Sequence, residues 1–138
     1  MPPFVSKRRV GFGEVDWARI LYYPRFFHHC HLAFEEFAEA ALGMPYADFL
    51  EREGLGFPTV HIEADYIRPI PYGAELEIAV SVVRVGEKSM IVRYEGRVPK
   101  DQTPRVTAEV TNVLVSMDDF TARAIPEWVR TGLAPWSA

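Results

Sequence analysis

A carboxylate in a loop and the start of a helix directly after it are the features of this sequence most able to do chemistry. Asp16 lies eight residues before Pro24, and proline suits the first turn of a helix. The first backbone N–H groups of a helix have no intrahelical partner and carry partial positive charge, so they can stabilise a developing oxyanion. A loop carboxylate can act as a nucleophile or a general base, although from spacing alone its commoner role is to close a turn.

A run of histidines and a cysteine at residues 28–31 invites comparison with a metal site. At about 100° per residue, His28 and His29 fall on the polar side of the helix, Cys30 on its apolar side and His31 on the border. Structural zinc sites use four ligands and catalytic sites at least three protein ligands. Because these side chains diverge, the sequence predicts no metal site, and we interpret the histidines as a solvated helix surface or a subunit contact.

The helix that carries these residues is predicted to run from about Pro24 to Leu42. Its apolar residues share one broad face: Phe26, Phe27, Cys30, Ala33, Phe34, Phe37, Ala38 and Ala41. The opposite face carries Arg25, His28, His29, Glu35, Glu36 and Glu39. Gly43 is a suitable C-terminal stop, and residues 46–52 form a candidate short second helix.

Most of the remaining chain alternates apolar and polar residues with a period of two, which is typical of strands. Strands are expected at residues 4–12, 57–67, 76–82, 90–94 and 106–117, with a hairpin at 86–88. In strand 57–67, Val60 and Ile62 face one side, and Thr59, His61 and Glu63 face the other. One strand, a long helix and then four strands predict an α+β fold, in which an antiparallel sheet wraps around one long helix.

Length and composition restrict the possible functions. The chain has 138 residues, 49% hydrophobic and 25% charged, which fits a single domain over residues 1–138. Its longest stretches without charged residues, such as Phe26–Phe34, are far shorter than the roughly 20 residues of a membrane helix. A net charge of −4 argues against duplex nucleic acid as a partner. One cysteine and the lack of a signal-peptide pattern predict a cytoplasmic protein.

Residues 12–24, with the sequence FGEVDWARILYYP, resemble the signature of the 4-hydroxybenzoyl-CoA thioesterase family. Further similarities are Gly56-Phe57-Pro58 before a strand, Arg68-Pro69, Tyr72-Gly73, and Lys88-Ser89 after a hairpin glycine. The resemblance implies the hotdog fold and hydrolysis of an acyl-CoA thioester. Coenzyme A is then part of the substrate, and no separate cofactor is expected. Two positions depart from the family signature, with Glu14 in place of an aspartate and Arg19 in place of a glycine.

The resemblance also implies roles for individual residues. Asp16 would be the catalytic nucleophile or general base. The N–H of Tyr23 would be the oxyanion donor, because Pro24 has no N–H. Lys88, with Arg84 as an addition, would bind the CoA phosphates. The other residues expected near the substrate are Trp17, Phe57, Thr59 and His61, the last of which reaches the site across a subunit boundary or is simply a structural histidine.

The family assembles as a dimer of dimers, so the resemblance implies a homo-oligomer. Strand 57–67 is the candidate for pairing across a two-fold axis, because open strand edges are usually paired or covered. Two other functions stay open at this point. One is a hotdog protein that binds acyl-CoA without turnover, which Arg19 favours. The other is a hotdog dehydratase or hydratase, whose Asp–His helix motif we do not find in the sequence.

Overall fold

The computed structural model describes residues 3–138, which form a five-stranded sheet, a two-stranded sheet and three α-helices. The strands are β1 (Phe4–Arg9), β2 (Leu55–Gly56), β3 (Thr59–Tyr66), β4 (Glu75–Val85), β5 (Ser89–Arg97), β6 (Val106–Val113) and β7 (Val115–Ser116). The helices are α1 (Arg25–Leu42), α2 (Tyr46–Glu51) and α3 (Glu127–Leu133). None of the helices in these residues is long and apolar enough to cross a membrane.

The large sheet has the strand order β1-β4-β5-β6-β3, and every neighbouring pair is antiparallel. The alternation predicted for β4 and β5 is confirmed, since Leu76, Ile78, Val80, Val82, Met90, Val92 and Tyr94 are all buried. Burial of a large apolar side chain stabilises a fold by roughly 1.5–3 kcal/mol. Helix α1 packs on β1 and β4. It also approaches β5 so closely that a Cβ atom at Gly96 would lie 2.7 Å from the Phe26 ring.

Helix α1 begins directly after Pro24 and ends at Gly43, which confirms the predicted boundaries to within one residue. Gly43 has φ +74°, a left-handed conformation that glycine adopts without a steric penalty and that terminates the helix. The predicted apolar face is buried, with Phe27 half-buried. The placement of His29 on the polar face is wrong. His29 is 3% exposed, because the loop before α1 covers it and supplies Glu14 as its partner.

Strand β3 lies at an edge of the sheet and pairs with β6. Its apolar side chains are uncovered, with Val60 60% and Ile62 43% exposed. The register shifts between Thr59 and His61, so β3 contains a bulge. Thr59 and Ile62 consequently line the same cavity. The prediction that Thr59 faces the same side as His61 is therefore wrong, because the extra residue of the bulge interrupts the regular alternation of side chains between the two faces.

The C-terminal third differs most from the prediction. The strand expected over residues 106–117 is interrupted at Leu114, whose N–H donates to the carbonyl of Lys88 at 2.8 Å. Beyond this break, β7 pairs with β2 in the separate two-stranded sheet. Helix α3 was not predicted. It lies against α1, where a Cβ atom at Gly132 would collide with the carbonyl oxygen of Ala41. Residues 3–138 thus contain three α-helices, where the sequence predicted one long helix and a candidate short helix over residues 46–52, which the structure has as α2.

Candidate active site

Asp16 lies in a tight turn that is closed by backbone hydrogen bonds within residues 16–20. Its N–H donates to the carbonyl of Ile20 at 3.0 Å, and its carbonyl accepts from the N–H of Arg19 at 2.9 Å. One carboxylate oxygen, Oδ1, accepts from the N–H of Ala18 at 2.8 Å. Within residues 3–138 the other oxygen makes no hydrogen bond or ion pair, and the side chain is exposed. Asp16 therefore closes a turn and still presents a carboxylate oxygen for chemistry.

Arg19 explains why the family signature has a glycine at this place in the turn. Its φ is +68°, in the left-handed region that costs a residue with a Cβ atom roughly 1–2 kcal/mol. The carbonyl of Arg19 accepts from the N–H of Tyr72 at 3.0 Å, and Ile20 forms a bridge with Pro71. The turn keeps the conformation that suits glycine, and the surrounding hydrogen bonds hold Arg19 in it.

The start of α1 presents an unused hydrogen-bond donor. Within residues 3–138 the N–H of Tyr23 has no acceptor. Its neighbours are occupied, since the N–H of Tyr22 donates to the carbonyl of Glu14 at 2.9 Å and that of Arg25 to the carbonyl of Tyr22 at 2.8 Å. The hydroxyl of Tyr66 donates to the carbonyl of Tyr23. Burial raises the pKa of Tyr66, which keeps this hydroxyl protonated.

Asp16 and Tyr23 line one cleft of about 440 Å³. Its other walls are Ile20, Leu21, Tyr66, Ile67, Arg68, Pro69, Ile70 and Val106. A second cleft, of about 750 Å³, opens on the other side of Asp16 and is lined by Phe12, Gly13, Val15, Trp17, Arg19 and Tyr72. Trp17 is fully exposed there. The structure thus brings together the predicted Asp16, Tyr23 and Trp17.

Glu14 joins this loop to the helix behind it. Its Oε2 lies 2.7 Å from Nε2 of the buried His29, and its Oε1 accepts from the N–H of Gly11 at 2.8 Å. Burial lowers the pKa of His29, against the opposing effect of the Glu14 carboxylate. The ring of His29 is therefore neutral at pH 7, and its Nε2 is in close contact with the Glu14 carboxylate.

Phe57 and Thr59 lie at the opposite end of the sheet from Asp16. Thr59 pairs with Asn112 on β6, whereas Tyr66, beside the Asp16 cleft, pairs with Val106. Six residues of strand separate these two points, roughly 20 Å at ~3.3 Å per residue. Within one chain, the structure does not bring Phe57 and Thr59 to Asp16.

Phe57 and Thr59 instead line a narrow cavity of about 160 Å³ between α1 and the sheet. Its remaining walls are Phe27, Cys30, His31, Phe34, Tyr46, Ile62, Tyr94, Val110 and Asn112. The amide nitrogen of Asn112 donates to the carbonyl of Phe57 at 3.0 Å and to the hydroxyl of Thr59 at 3.1 Å. The buried amide oxygen of Asn112 has no partner within residues 3–138.

The remaining predicted residues also lie away from Asp16. His61 points to the outer face of the sheet, with Nε2 3.3 Å from Glu63. Lys88 lies in the β4–β5 hairpin, at the end of the sheet where Ser89 pairs with Val113. Arg84 is the second-last residue of β4, just before that hairpin. Lys88 and Arg84 are both exposed, and neither forms an ion pair in the described residues.

Sequence reasoning missed three residues that shape these sites. Asn112 is a polar residue at a position of β6 whose neighbours on the same face are apolar, and that break in the pattern was a usable signal. For Tyr66 the sequence indicated only a position in a strand. Its hydrogen bond to Tyr23 could not be predicted, because the two residues are far apart in the sequence. The burial of His29 had no local signal, because its cause is a contact with a separate loop.

Residues 10–133 match the family described as the thioesterase-like superfamily. The chain belongs to this superfamily. Its relatives include the 1,4-dihydroxy-2-naphthoyl-CoA hydrolase of Synechococcus elongatus, 30% identical over 128 residues that cover 92% of each chain. A solved gentisyl-coenzyme A thioesterase has a TM-score of 0.83 at 24% identity, covering 94% of this chain and 99% of that one. A thioesterase superfamily protein from Jannaschia sp. CCS1 has a TM-score of 0.90 at 23% identity, covering 99% and 94%.

Membership of the thioesterase-like superfamily confirms the resemblance carried by residues 12–24. The similarity to the two solved structures shows a shared fold. Together with the antiparallel sheet, it fits the predicted α+β hotdog class. In residues 3–138, no three His, Cys, Asp or Glu side chains are grouped so that they could hold a metal ion.

Proposed function

We propose that this protein is an acyl-CoA thioesterase that hydrolyses its substrate to a carboxylic acid and free coenzyme A. The observation that carries the proposal is the cleft shared by Asp16 and Tyr23, in which a carboxylate oxygen and a backbone N–H both lack partners among residues 3–138. Relatives named as hydrolases of 1,4-dihydroxy-2-naphthoyl-CoA support the same reaction type.

In the proposed reaction, Asp16 either attacks the thioester carbonyl and forms a mixed anhydride, which water then hydrolyses to the acid and free Asp16, or removes a proton from a water that attacks the carbonyl directly. The bond between the carbonyl carbon and sulfur breaks, and the thiolate of coenzyme A leaves and takes up a proton. The carbonyl oxygen becomes negative in the transition state. The N–H of Tyr23 would stabilise it, because a fixed donor at a helix start needs no reorganisation.

The complete site is proposed to need two chains. A two-fold axis through the middle of β3 would set the strand antiparallel to its own copy, so that the partner's Thr59 lies beside this chain's Tyr66. Tyr66 lines the Asp16 cleft, and Thr59 lines the narrow cavity. Pairing of β3 would thus join the catalytic cleft of one protomer to the cavity of the other. Two such dimers would form the expected tetramer.

The narrow cavity is proposed to hold the acyl group. Aromatic side chains form much of its wall, and an apolar cavity of about 150 Å³ accommodates one benzene ring. The unpaired amide oxygen of Asn112 would accept a hydrogen bond from a hydroxyl group on that ring. These features favour a hydroxylated aromatic acyl group. Lys88 and Arg84, exposed at the same end of the sheet, would bind the CoA phosphates.

A second candidate is a protein that binds acyl-CoA without turnover, favoured by the long side chain of Arg19 beside Asp16. Both are tested by release of free CoA thiol from a panel of hydroxylated aromatic, unsubstituted aromatic and straight-chain acyl-CoAs. The thioesterase proposal expects multiple turnovers, fastest with hydroxylated aromatic groups. Binding without thiol release from every member of the panel would contradict it and favour the second candidate.

A further inference from the structure

The contact between Glu14 and His29 is the one buried polar link between the Asp16 loop and the body of α1 in the described residues. His29 Nε2 lies 2.7 Å from Glu14 Oε2, and His29 is almost completely buried on the second turn of α1. Within residues 3–138 neither ring nitrogen makes a well-aligned hydrogen bond, and Nδ1 is buried with no polar group recorded beside it. The close contact to Glu14 is therefore the polar contact that the described residues give the ring, and it is to the loop.

Glu14 also connects His29 to the segments that carry the two proposed catalytic groups. Its carboxylate also accepts from the N–H of Gly11, at 2.8 Å, where the loop begins. Its carbonyl accepts from the N–H of Tyr22, at 2.9 Å, one residue before the proposed oxyanion donor. Val15 forms a bridge with Leu21, which closes the loop around Asp16. Movement of Glu14 would thus displace the Asp16 turn and the Tyr23 peptide together.

Other charges near His29 do not replace this contact. Arg8 on β1 and the adjacent His28 both disfavour a proton on the His29 ring and so lower its pKa, while Glu14 is the neighbour that favours it. Arg8 itself lies 3.4 Å from Glu36, two turns further along α1 than His29, and is paired there. Nε2 of His29, 2.7 Å from Oε2, is thus the α1 group that the Glu14 carboxylate contacts.

We infer that His29 is a positioning residue, which holds Glu14 and thereby aligns the Asp16 carboxylate with the Tyr23 N–H. This inference rests on the proposed function. The link does not touch the substrate, so it acts through geometry. A displacement of about 1 Å in a catalytic group can cost ~10²-fold in rate. Loss of the link is therefore expected to lower kcat and to leave KM nearly unchanged.

The test compares His29→Leu, which removes this contact, with His29→Gln, whose amide nitrogen can occupy the place of Nε2. His28→Leu, on the exposed side of the same helix turn, is the matched control. We expect kcat to fall ~10–100-fold in His29→Leu, to recover most of the way in His29→Gln and to stay unchanged in His28→Leu. Equal losses in the Leu and Gln variants would overturn the inference, because a purely packing role would not distinguish them.

Hydrogen exchange separates failure of this inference from failure of the proposed function. Amide exchange measured by mass spectrometry over residues 11–23 should rise in His29→Leu and remain at the wild-type level in His29→Gln. This comparison holds even for a wild-type protein that hydrolyses no acyl-CoA. Unchanged exchange in His29→Leu would overturn the inference. If that variant does not fold, Glu14→Ala breaks the same link from its more exposed side, and exchange is then compared over residues 15–23, away from the Gly11 N–H that also loses its acceptor, with the same expected rise and the same contrary result.

Discussion

Arg19 combines a left-handed backbone with a long cationic side chain beside the proposed catalytic carboxylate. Glycine populates this conformation without a Cβ penalty but loses more entropy on folding. We therefore expect Arg19→Gly to raise the free energy of unfolding by about 0.5–1 kcal/mol, as measured by chemical denaturation. Arg19→Ala, which removes the charge but keeps the Cβ atom, is the control. Equal stability of the two variants would show that φ at this residue carries no strain.

Lys88 is exposed in the β4–β5 hairpin and is proposed to bind a phosphate group of coenzyme A. A remote phosphate contact stabilises the bound substrate and the transition state alike. Lys88→Ala should therefore raise KM with little change in kcat, and the effect should shrink at high salt because exposed charges are screened. Steady-state kinetics at two salt concentrations measure this, with Lys100→Ala, in the β5–β6 loop, as the control. An unmoved KM would place the phosphate contacts elsewhere.

The sequence predicted those site residues whose signal is local. Asp16 and Tyr23 lie within one continuous signature, and their turn and helix start follow from neighbouring residues. His29 and Asn112 act through partners that are distant in sequence, Glu14 in a loop and Phe57 before an edge strand. Helical periodicity predicted an exposed His29, because it assumes that only one side of a helix is covered by the rest of the protein. The loop that carries Glu14 covers a second side.

Among the elements, α1, β4 and β5 were predictable because each has clear end signals and one continuous buried face. Pro24 and Gly43 bound α1, and the hairpin glycine Gly86 separates β4 from β5. In strand β3 the side chain of Thr59 was predicted to face the wrong side of the sheet. A bulge shifts the register between Thr59 and His61, and the apolar–polar pattern of the sequence does not reveal it. The break between β6 and β7 was missed because Leu114 is apolar like its neighbours. Leu114 still bonds to Lys88 in the register of β5 and β6, and beyond it the chain pairs with the distant β2 instead.

Edge strand β3 should mediate dimer formation. It exposes apolar side chains and leaves one side without a backbone partner in the described residues, which is the usual template for strand pairing. We expect light scattering at micromolar concentration to show a homo-oligomer, and Ile62→Lys to shift it to monomer. Val5→Lys is the matched control, since Val5 is 48% exposed on the opposite edge strand, β1.

A monomeric wild-type protein would contradict the proposed β3 pairing and the two-chain site that depends on it. A monomeric Ile62→Lys variant with full activity would contradict the two-chain site alone. The two outcomes thus separate how the chains assemble from where the substrate binds.

The stability of the whole molecule should depend on pH through His29. Burial lowers the pKa of His29 below its ordinary value of 6.5, so the unfolded chain takes up this proton at a higher pH than the folded one. The free energy of unfolding should therefore fall as pH drops below about 6.5, and this contribution should level off below the folded-state pKa. Denaturation between pH 8 and 5 measures the slope, which should be smaller in His29→Gln. Equal slopes would contradict the assignment.

Hydrolysis by the whole protein is proposed to depend on the carboxylate of Asp16. The most direct test is steady-state kinetics of Asp16→Asn with the best acyl-CoA substrate. Asparagine keeps a side-chain oxygen that can accept from the N–H of Ala18, so the turn and the melting temperature should be preserved. We expect kcat to fall by ~10²–10⁴, the range for loss of a positioned acid–base group, while KM stays nearly unchanged. Wild-type turnover by Asp16→Asn would contradict it.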